Sequence, residues 1–254
     1  MLKLFRQPKV QAVFDAPLAA EGRIYAIGDI HGRLDLLGEM VDKILQDAAD
    51  FDGVPQVVFL GDLIDRGEDS QGVVEFVRSM QGWPEIETSA IMGNHEQMLV
   101  DFLIDPSAGA RWLRHGGLQT LMSYGTPTHG SVHQPGTLAQ TRDELLAAMG
   151  PHRDFIEKLP AQHRNGNILF AHAGANPSLS IKAQDEETLI WGHARFFEEM
   201  RSDGIWVVHG HTVVDDPMVD QGRISVDTGA YFSNRLTAVR LEGDQLRFFS
   251  VSTD

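Results

Sequence analysis

The chain of 254 residues carries 36 acidic against 21 basic side chains, a formal net charge of −15, and 42% hydrophobic residues. That is enough apolar material for one large α/β domain or two small ones, and so acidic a surface argues against nucleic acid or an anionic membrane as the main partner. The absence of cysteine excludes a disulfide scaffold, a thiolate metal site and a cysteine nucleophile, and suits a reducing cytoplasm.

Residues 1–22 scatter Lys3, Arg6, Lys9 and Asp15 among apolar residues and two prolines. No apolar run of signal-peptide length occurs there, and no stretch reaches the ~20 apolar residues of a membrane helix. An N-terminal arm is expected over 1–22, packing through Leu4, Phe5, Val13 and Phe14, with the main domain over 23–254. Short, β-branched apolar runs then recur at Ile24–Gly28, Val57–Gly61, Ala90–Gly93, Ile168–Ala171 and Ile205–Val208, which predicts buried strands. Between the first three, Leu34, Leu37, Val41, Ile44, Leu45 and Ala48 share one helical face, and Val73, Val74, Phe76 and Val77 mark a second helix. Such alternation predicts a parallel sheet.

Residues 105–165 interrupt the order. Helical stretches at Arg111–Ser123, Leu138–Met149 and His152–Leu159 surround the turn-rich GTPTHGSVHQPG, and a mainly helical insertion on one rim is expected. Past Gly210, Arg223–Val226, Leu236–Leu241 and Leu246–Val251 read as successive strands, the last two a hairpin about Glu242-Gly243-Asp244. The fold class is therefore α/β with a β-rich close.

Five segments end alike. Gly28-Asp29-Ile30-His31-Gly32, Gly61-Asp62-Leu63-Ile64-Asp65-Arg66-Gly67, Gly93-Asn94-His95-Glu96, Ala171-His172-Ala173-Gly174 and His209-Gly210-His211-Thr212 each put Asp, Asn or His at or just past an expected strand end. Ligands of open α/β sheets bind beyond those ends, and the glycines let backbone approach a small charged centre. Carboxylate, imidazole and one amide oxygen, without thiolate, suit Mn, Fe, Zn, Co or Ni. The candidates exceed one coordination shell; two metals about 3.5–4 Å apart, sharing a carboxylate, would use them all. Bound cations also make phosphate substrates compatible with an acidic chain.

The series GDIHG, GDLIDRG, GNHE, a His before Ala-Gly, and GHT resembles the motif series of the calcineurin-like metallophosphoesterases, across roughly residues 23–230. The DRG and GNHE forms resemble the phosphoprotein phosphatase branch, and the length its bacterial and phage-type serine/threonine members. The resemblance implies a four-layer αββα sandwich of two mixed β-sheets flanked by helices. It implies that Asp29 and His31 hold a first metal, that Asp62 bridges two metals, and that Asn94, His172 and His211 hold the second, with Mn²⁺ the expected ion. Asp65 would orient His95 as general acid, Arg66 and Asn94 would grip the phosphate, and a metal-bridging hydroxide would attack phosphorus directly.

The substrate so implied is a phosphomonoester, foremost phosphoserine or phosphothreonine in a protein, with phosphotyrosine and small phosphoesters as further options. The alternative is a hydrolase of dinucleoside polyphosphates such as diadenosine tetraphosphate; those relatives more often carry GNHD where this chain has Glu96. A nuclease ranks lower because no Lys/Arg-rich run exists, and a non-catalytic module because all six metal positions are filled. Nothing in the sequence fixes the oligomeric state.

One departure stands out. Compact family members usually show Trp-x-Arg between the last two metal histidines, whereas this chain has Trp191-Gly192-His193-Ala194-Arg195. Arg195 and His193 are therefore alternative phosphate contacts. His209 is expected behind His211 and not at the metal. His115 is a candidate for the active-site rim, His129 and His133 for a solvated loop, and His152 and His163 for the surface. Trp112, Trp191 and Trp206 are expected in the core.

Overall fold

The computed structural model describes residues 13–129 and 136–253. Its first half alternates as β1 (Ala20–Ile27), α1 (Leu34–Ala48), β2 (Gln56–Phe59), α2 (Ser70–Met80), β3 (Glu87–Ala90) and α3 (Asn94–Ile104). Helix α1 forms because Leu36, Leu37, Met40, Val41 and Ile44 supply one buried stripe. Helix α2 is capped by the Asp69 side chain, which accepts from Gly72 N at 2.8 Å, a contact typically worth ~1 kcal/mol.

Two sequence expectations shift here. The third strand lies at Glu87–Ala90 and ends where it was expected to begin. The apolar Ile91 and Met92 instead carry the chain across to Gly93, the N-cap of α3. Helix α3, with buried Met98, Leu99, Phe102 and Leu103, was not foreseen, because GNHE was read as a strand end and not as a helix start. Strand β1 likewise starts at Ala20, inside the residues assigned to the arm. Of the arm's apolar residues, Phe14 packs edge-on against Trp206 at 5.0 Å while Val13 is 78% exposed; Leu4 and Phe5 lie outside the described residues.

Between 105 and 165 the described residues form α4 (Gly109–Trp112), α5 (Leu118–Ser123), α6 (Thr137–Met149), α7 (Pro151–Glu157) and the strand β4 (Gln162–Asn165). A wide helical turn over Leu113–Gly117 joins α4 to α5. Then follow β5 (Ile168–Ala171), α8 (Glu186–Trp191), β6 (Trp206–His209), β7 (Met218–Asp220), β8 (Arg223–Ser225), α9 (Ala230–Ser233), β9 (Arg235–Gly243) and β10 (Gln245–Ser252). Strands β4 and β7 escaped the sequence pattern because neither buries a face: β7 is exposed throughout and β4 is QHRN.

The strands make two five-stranded sheets, in the orders β10-β9-β1-β2-β3 and β4-β5-β6-β8-β7. Both are mixed. In the first, β1, β2 and β3 run parallel and β9 antiparallel to β1; in the second, β5, β6 and β8 run parallel, with antiparallel edges. Alternate residues sort into layers, as the strand period requires. Ile24, Ala26, Val58, Ile168, Phe170 and Val208 meet between the sheets. Tyr25, Ile27, Val57 and Phe59 face α1, α2 and α3 on one outer side. Leu169, Ala171 and Val207 face Leu189 of α8 on the other. This is the helix–sheet–sheet–helix order.

Several side chains sit deeper than expected. His152 is buried, between Tyr124 Oη and Glu75 (2.8 and 2.7 Å). His163 is half-buried against Gln56 Oε1 at 3.0 Å. His129 lies in a loop, partly exposed, and pairs with Glu144 at 2.7 Å, while His133 lies outside the described residues. Trp112 is fully buried, but Trp191 and Trp206 only partly. No helix among the described residues is long and apolar enough to cross a membrane.

Phe59 is fully buried in β2, immediately before the segment carrying Asp62. Phe59→Ala should lower unfolding free energy by about 3–5 kcal/mol, read from a shift of the urea midpoint without a change of slope.

Candidate metal centre

Strands β1 and β2 are neighbours in one sheet, β5 and β6 in the other, and all four point their C-terminal ends to one rim. The loops beyond them are stitched together. Ile30 N and His31 N donate to Asp62 O (3.1 and 2.9 Å), and Gly210 N donates to His172 O (2.9 Å). His211 N donates to the Asp29 carboxylate at 3.2 Å, and His95 N to Asp62 Oδ1 at 3.0 Å. The approach is close enough that a Cβ on Gly210 would overlap Asp29 Oδ1, and one on Gly93 would overlap Asp62.

Backbone strain concentrates at this rim. His31, Asp62, Asp65, Arg66 and His211 all hold positive φ, between 48° and 71°. Such conformations cost roughly 1–3 kcal/mol each in non-glycine residues and mark functional sites.

Two groups have all their ligand atoms within 4.8 Å of one another: His31, Asp62 and His95, and Asp62, His172 and His211. Asp62 belongs to both. The chemistry of these atoms fits cations. His31 Nδ1 donates to Ile64 O at 2.8 Å, leaving a buried Nε2 with no hydrogen-bond partner, 3.5 Å from Asp62 Oδ2. His172 Nδ1 donates to Leu60 O at 2.8 Å, so its Nε2 lone pair faces Asn94 Oδ1 at 2.9 Å and Asp62 Oδ1 at 3.4 Å. His211 Nδ1 stands 2.8 Å from the same Asn94 oxygen. The buried His31 Nε2 lone pair, and the His172 Nε2 lone pair facing two oxygens, suit a positive centre.

The charges agree. Asp29, Asp62 and Asp227 are all buried. Burial, then Asp227 and Asp62, pushes the Asp29 carboxyl well above its ordinary value. Burial acts against Asp62 too, but His172, His95 and His31 hold it far below the usual carboxylate range. Burial takes the imidazoles of His31 and His211 down to about 3 and about 4, so they are neutral, as metal ligation requires. Buried carboxylates without enough cations are costly unless a metal joins them.

Around this lies a supporting shell. His95 Nδ1 meets Asp65 Oδ2 at 2.6 Å, both side chains being fully buried. Trp112 Nε1 (3.0 Å) and Thr120 Oγ1 (2.6 Å) also donate to Asp65. Burial lowers His95, but Asp62 and Asp65 outweigh it and hold the imidazole above its ordinary value. Glu96 accepts from Asp62 N, Leu63 N and Gly93 N (2.8, 2.8 and 3.0 Å). The Arg66 guanidinium lies over the Tyr231 ring at 4.7 Å, and that ring meets His31 edge-on at 5.4 Å.

The structure thus gathers His31, Asp62, Asn94, His95, His172 and His211, with Asp29 held against His211 and Asp65 and Arg66 flanking. Asp29 belongs to neither tight group. Arg195 and His193 stand elsewhere in their contacts: Arg195 pairs with Glu199 at 3.2 Å on the surface, and its backbone N donates to His193 Nδ1 at 3.3 Å. His209 is turned into the core, its Nε2 2.9 Å from Ser225 Oγ and its ring beside Phe196. Sequence reasoning missed Asp227, though Ser225-Val226-Asp227 repeats the strand-then-Asp pattern of Asp29. Thr120, Trp112 and Tyr231 carried no sequence signal, because their partners are distant in the chain.

Residues 22–215 match the family model for calcineurin-like phosphoesterases. The chain belongs to that family. It is 28% identical over 254 residues to the asymmetrical bis(5'-nucleosyl)-tetraphosphatase PrpE of Oceanobacillus iheyensis, covering 91% of this chain and 92% of that one. It is 27% identical over 226 residues to serine/threonine-protein phosphatase 1 of Salmonella typhimurium, covering 86% and 92%. Among solved structures, a cold-active protein-tyrosine phosphatase of a psychrophilic Shewanella shares the fold, with a TM-score of 0.60 at 16% identity over 98% of this chain and 87% of that one. The phosphoesterase fold and the metal-compatible cluster therefore coincide in one chain.

Glu96 gives a direct check on how the rim is held. In Glu96→Ala the buried N–H groups of Asp62, Leu63 and Gly93 lose their acceptor, each worth about 1–3 kcal/mol. Thermal denaturation should show a large fall in Tm, and any stabilisation by an added divalent cation should shrink with it.

Proposed function

We propose that this phosphoesterase hydrolyses phosphomonoesters at a dinuclear divalent centre, with phosphoserine and phosphothreonine in proteins as its foremost substrates. The observation that carries the proposal is the fully buried Asp65–His95 pair at 2.6 Å, whose unpartnered His95 Nε2 lies 3.9 Å from Asp62. An alkoxide is a poor leaving group and needs a proton. His95, held in one orientation by Asp65, is placed to give it from Nε2. A phosphoanhydride leaving group has less need of that proton.

Asp29 and His31 would hold one metal, Asp62 both, and Asn94, His172 and His211 the other, with Mn²⁺ the ion of choice. Such a pair offsets phosphate charge and supplies a water of lowered pKa. Arg66 presents a planar fork to phosphate oxygens, with permanent charge, and Tyr231 limits its swing. Asn94 offers its amide to the same oxygens, while Arg195 is engaged with Glu199.

A second reading, hydrolysis of dinucleoside tetraphosphates, is favoured by the similarity to the bis(5'-nucleosyl)-tetraphosphatase of Oceanobacillus. It is also favoured by an open groove of about 440 Å³ beside Arg66 and Tyr231, within the range of small-molecule sites.

Metal-stripped protein given Mn²⁺ should release phosphate from p-nitrophenyl phosphate and a phosphoserine peptide. Turnover of diadenosine tetraphosphate alone would transfer the assignment to the second reading. His95→Ala should lose about 10²–10⁴-fold in kcat on alkyl esters and far less on aryl esters with good leaving groups. An equal loss on both would remove His95 from the proton-donor role.

A further inference from the structure

Two grooves meet at the Arg66–Tyr231 pair, and they differ in charge. The larger is lined by Asp35, Glu68 and Asp69, and its Arg33 is neutralised by Asp35 at 2.6 Å. The other, of about 440 Å³, is lined by Leu113, Arg114, His115, Leu118 and Gln119 together with Arg66, Gly116 and Tyr231, and by no Asp or Glu. In a chain of net charge −15 a groove with two arginines and no carboxylate is out of keeping with the rest of the surface. Among the described residues no ion pair involves Arg66 or Arg114, whereas Arg33, Arg78, Arg142 and Arg153 are all paired.

The two arginines share a frame. Arg66 N donates to Gly116 O at 3.3 Å. Gly116, at φ +111°, forms the kink between α4 and α5. The preceding Trp112 is anchored on Asp65. Arg114 is therefore carried by the same segment that holds Asp65 and Arg66 in place, and its relation to the centre is built in.

We propose that this groove is a second phosphate subsite. It takes a phosphate joined through an anhydride oxygen to the one being hydrolysed, with Arg114 as its charged contact, the Gln119 amide as a further donor, and Leu113 and Leu118 as apolar walls. The acidic groove across Tyr231 repels the same group, so the charge difference sets which way a phosphate chain lies. The proposal rests on the phosphoester-hydrolase assignment and, within it, bears on the second reading, since dinucleoside tetraphosphates and not phosphomonoesters carry adjoining phosphates.

The test is inhibition of p-nitrophenyl phosphate hydrolysis by ADP and by AMP, which differ by one phosphate, with Mn²⁺ in excess. The parent protein should bind ADP about tenfold more tightly than AMP, the equivalent of ~1.4 kcal/mol. In Arg114→Gln that ratio should fall to about one, and Arg114→Lys should keep part of it; taking the ratio cancels any general loss of activity. A parent protein without preference, or an Arg114→Gln variant that keeps it, overturns the subsite. Should no ester be hydrolysed, the functional assignment fails separately, and calorimetric titration of Mn²⁺-loaded protein with ADP and AMP reads the same ratio.

Discussion

The Asp62 carboxylate is the constraint on which the rest depends. It is buried, it belongs to both ligand groups, and three imidazoles surround it. A carboxylate so placed cannot be solvated by water, so its charge must be met by the protein or by cations. The protein meets only part of it. His95 N donates to one oxygen, while His31 and His172 offer lone pairs and not protons. The remaining charge is left for positive ions, and the two sheets exist, functionally, to hold that unsatisfied arrangement open.

Holding it open is costly, and the cost is spread through the fold. Five rim residues adopt left-handed backbone conformations, which the layers on either side over-determine. The inter-sheet core fixes the strand ends, the Glu96 carboxylate locks the Asp62 loop from beneath, and Trp112 and Thr120 lock Asp65 from the side. Segment 105–165 thus reaches the chemistry through two side chains that look like ordinary core residues. That contact links segment 105–165 to the Asp65–His95 pair, and Arg114 lines one groove with Arg66.

Much of this was legible in the sequence, for physical reasons. Strand ends bearing Asp, His or Asn between glycines stand out, because a small charged centre needs those atoms and close backbone approach; so Asp29, His31, Asp62, Asn94, His172 and His211 are candidates on the sequence alone. The β-rich close and helix α1 followed from plain periodicity. What failed did so where periodicity carries no information. Strands β4 and β7 bury no face. Helix α3 hid behind a motif read as a strand end. Thr120, Trp112 and Tyr231 act through partners dozens of residues away, and residue spacing cannot register them. Asp227 alone was readable and passed over, since it follows the last motif, His209–Thr212.

The most direct test is diffraction at the manganese absorption edge from crystals grown with Mn²⁺. Two anomalous peaks about 3.5–4 Å apart, with Asp62 between them, His31 against one and Asn94, His172 and His211 against the other, are the predicted result. A single peak, or peaks that leave Asp62 uncoordinated, would contradict the account of this site.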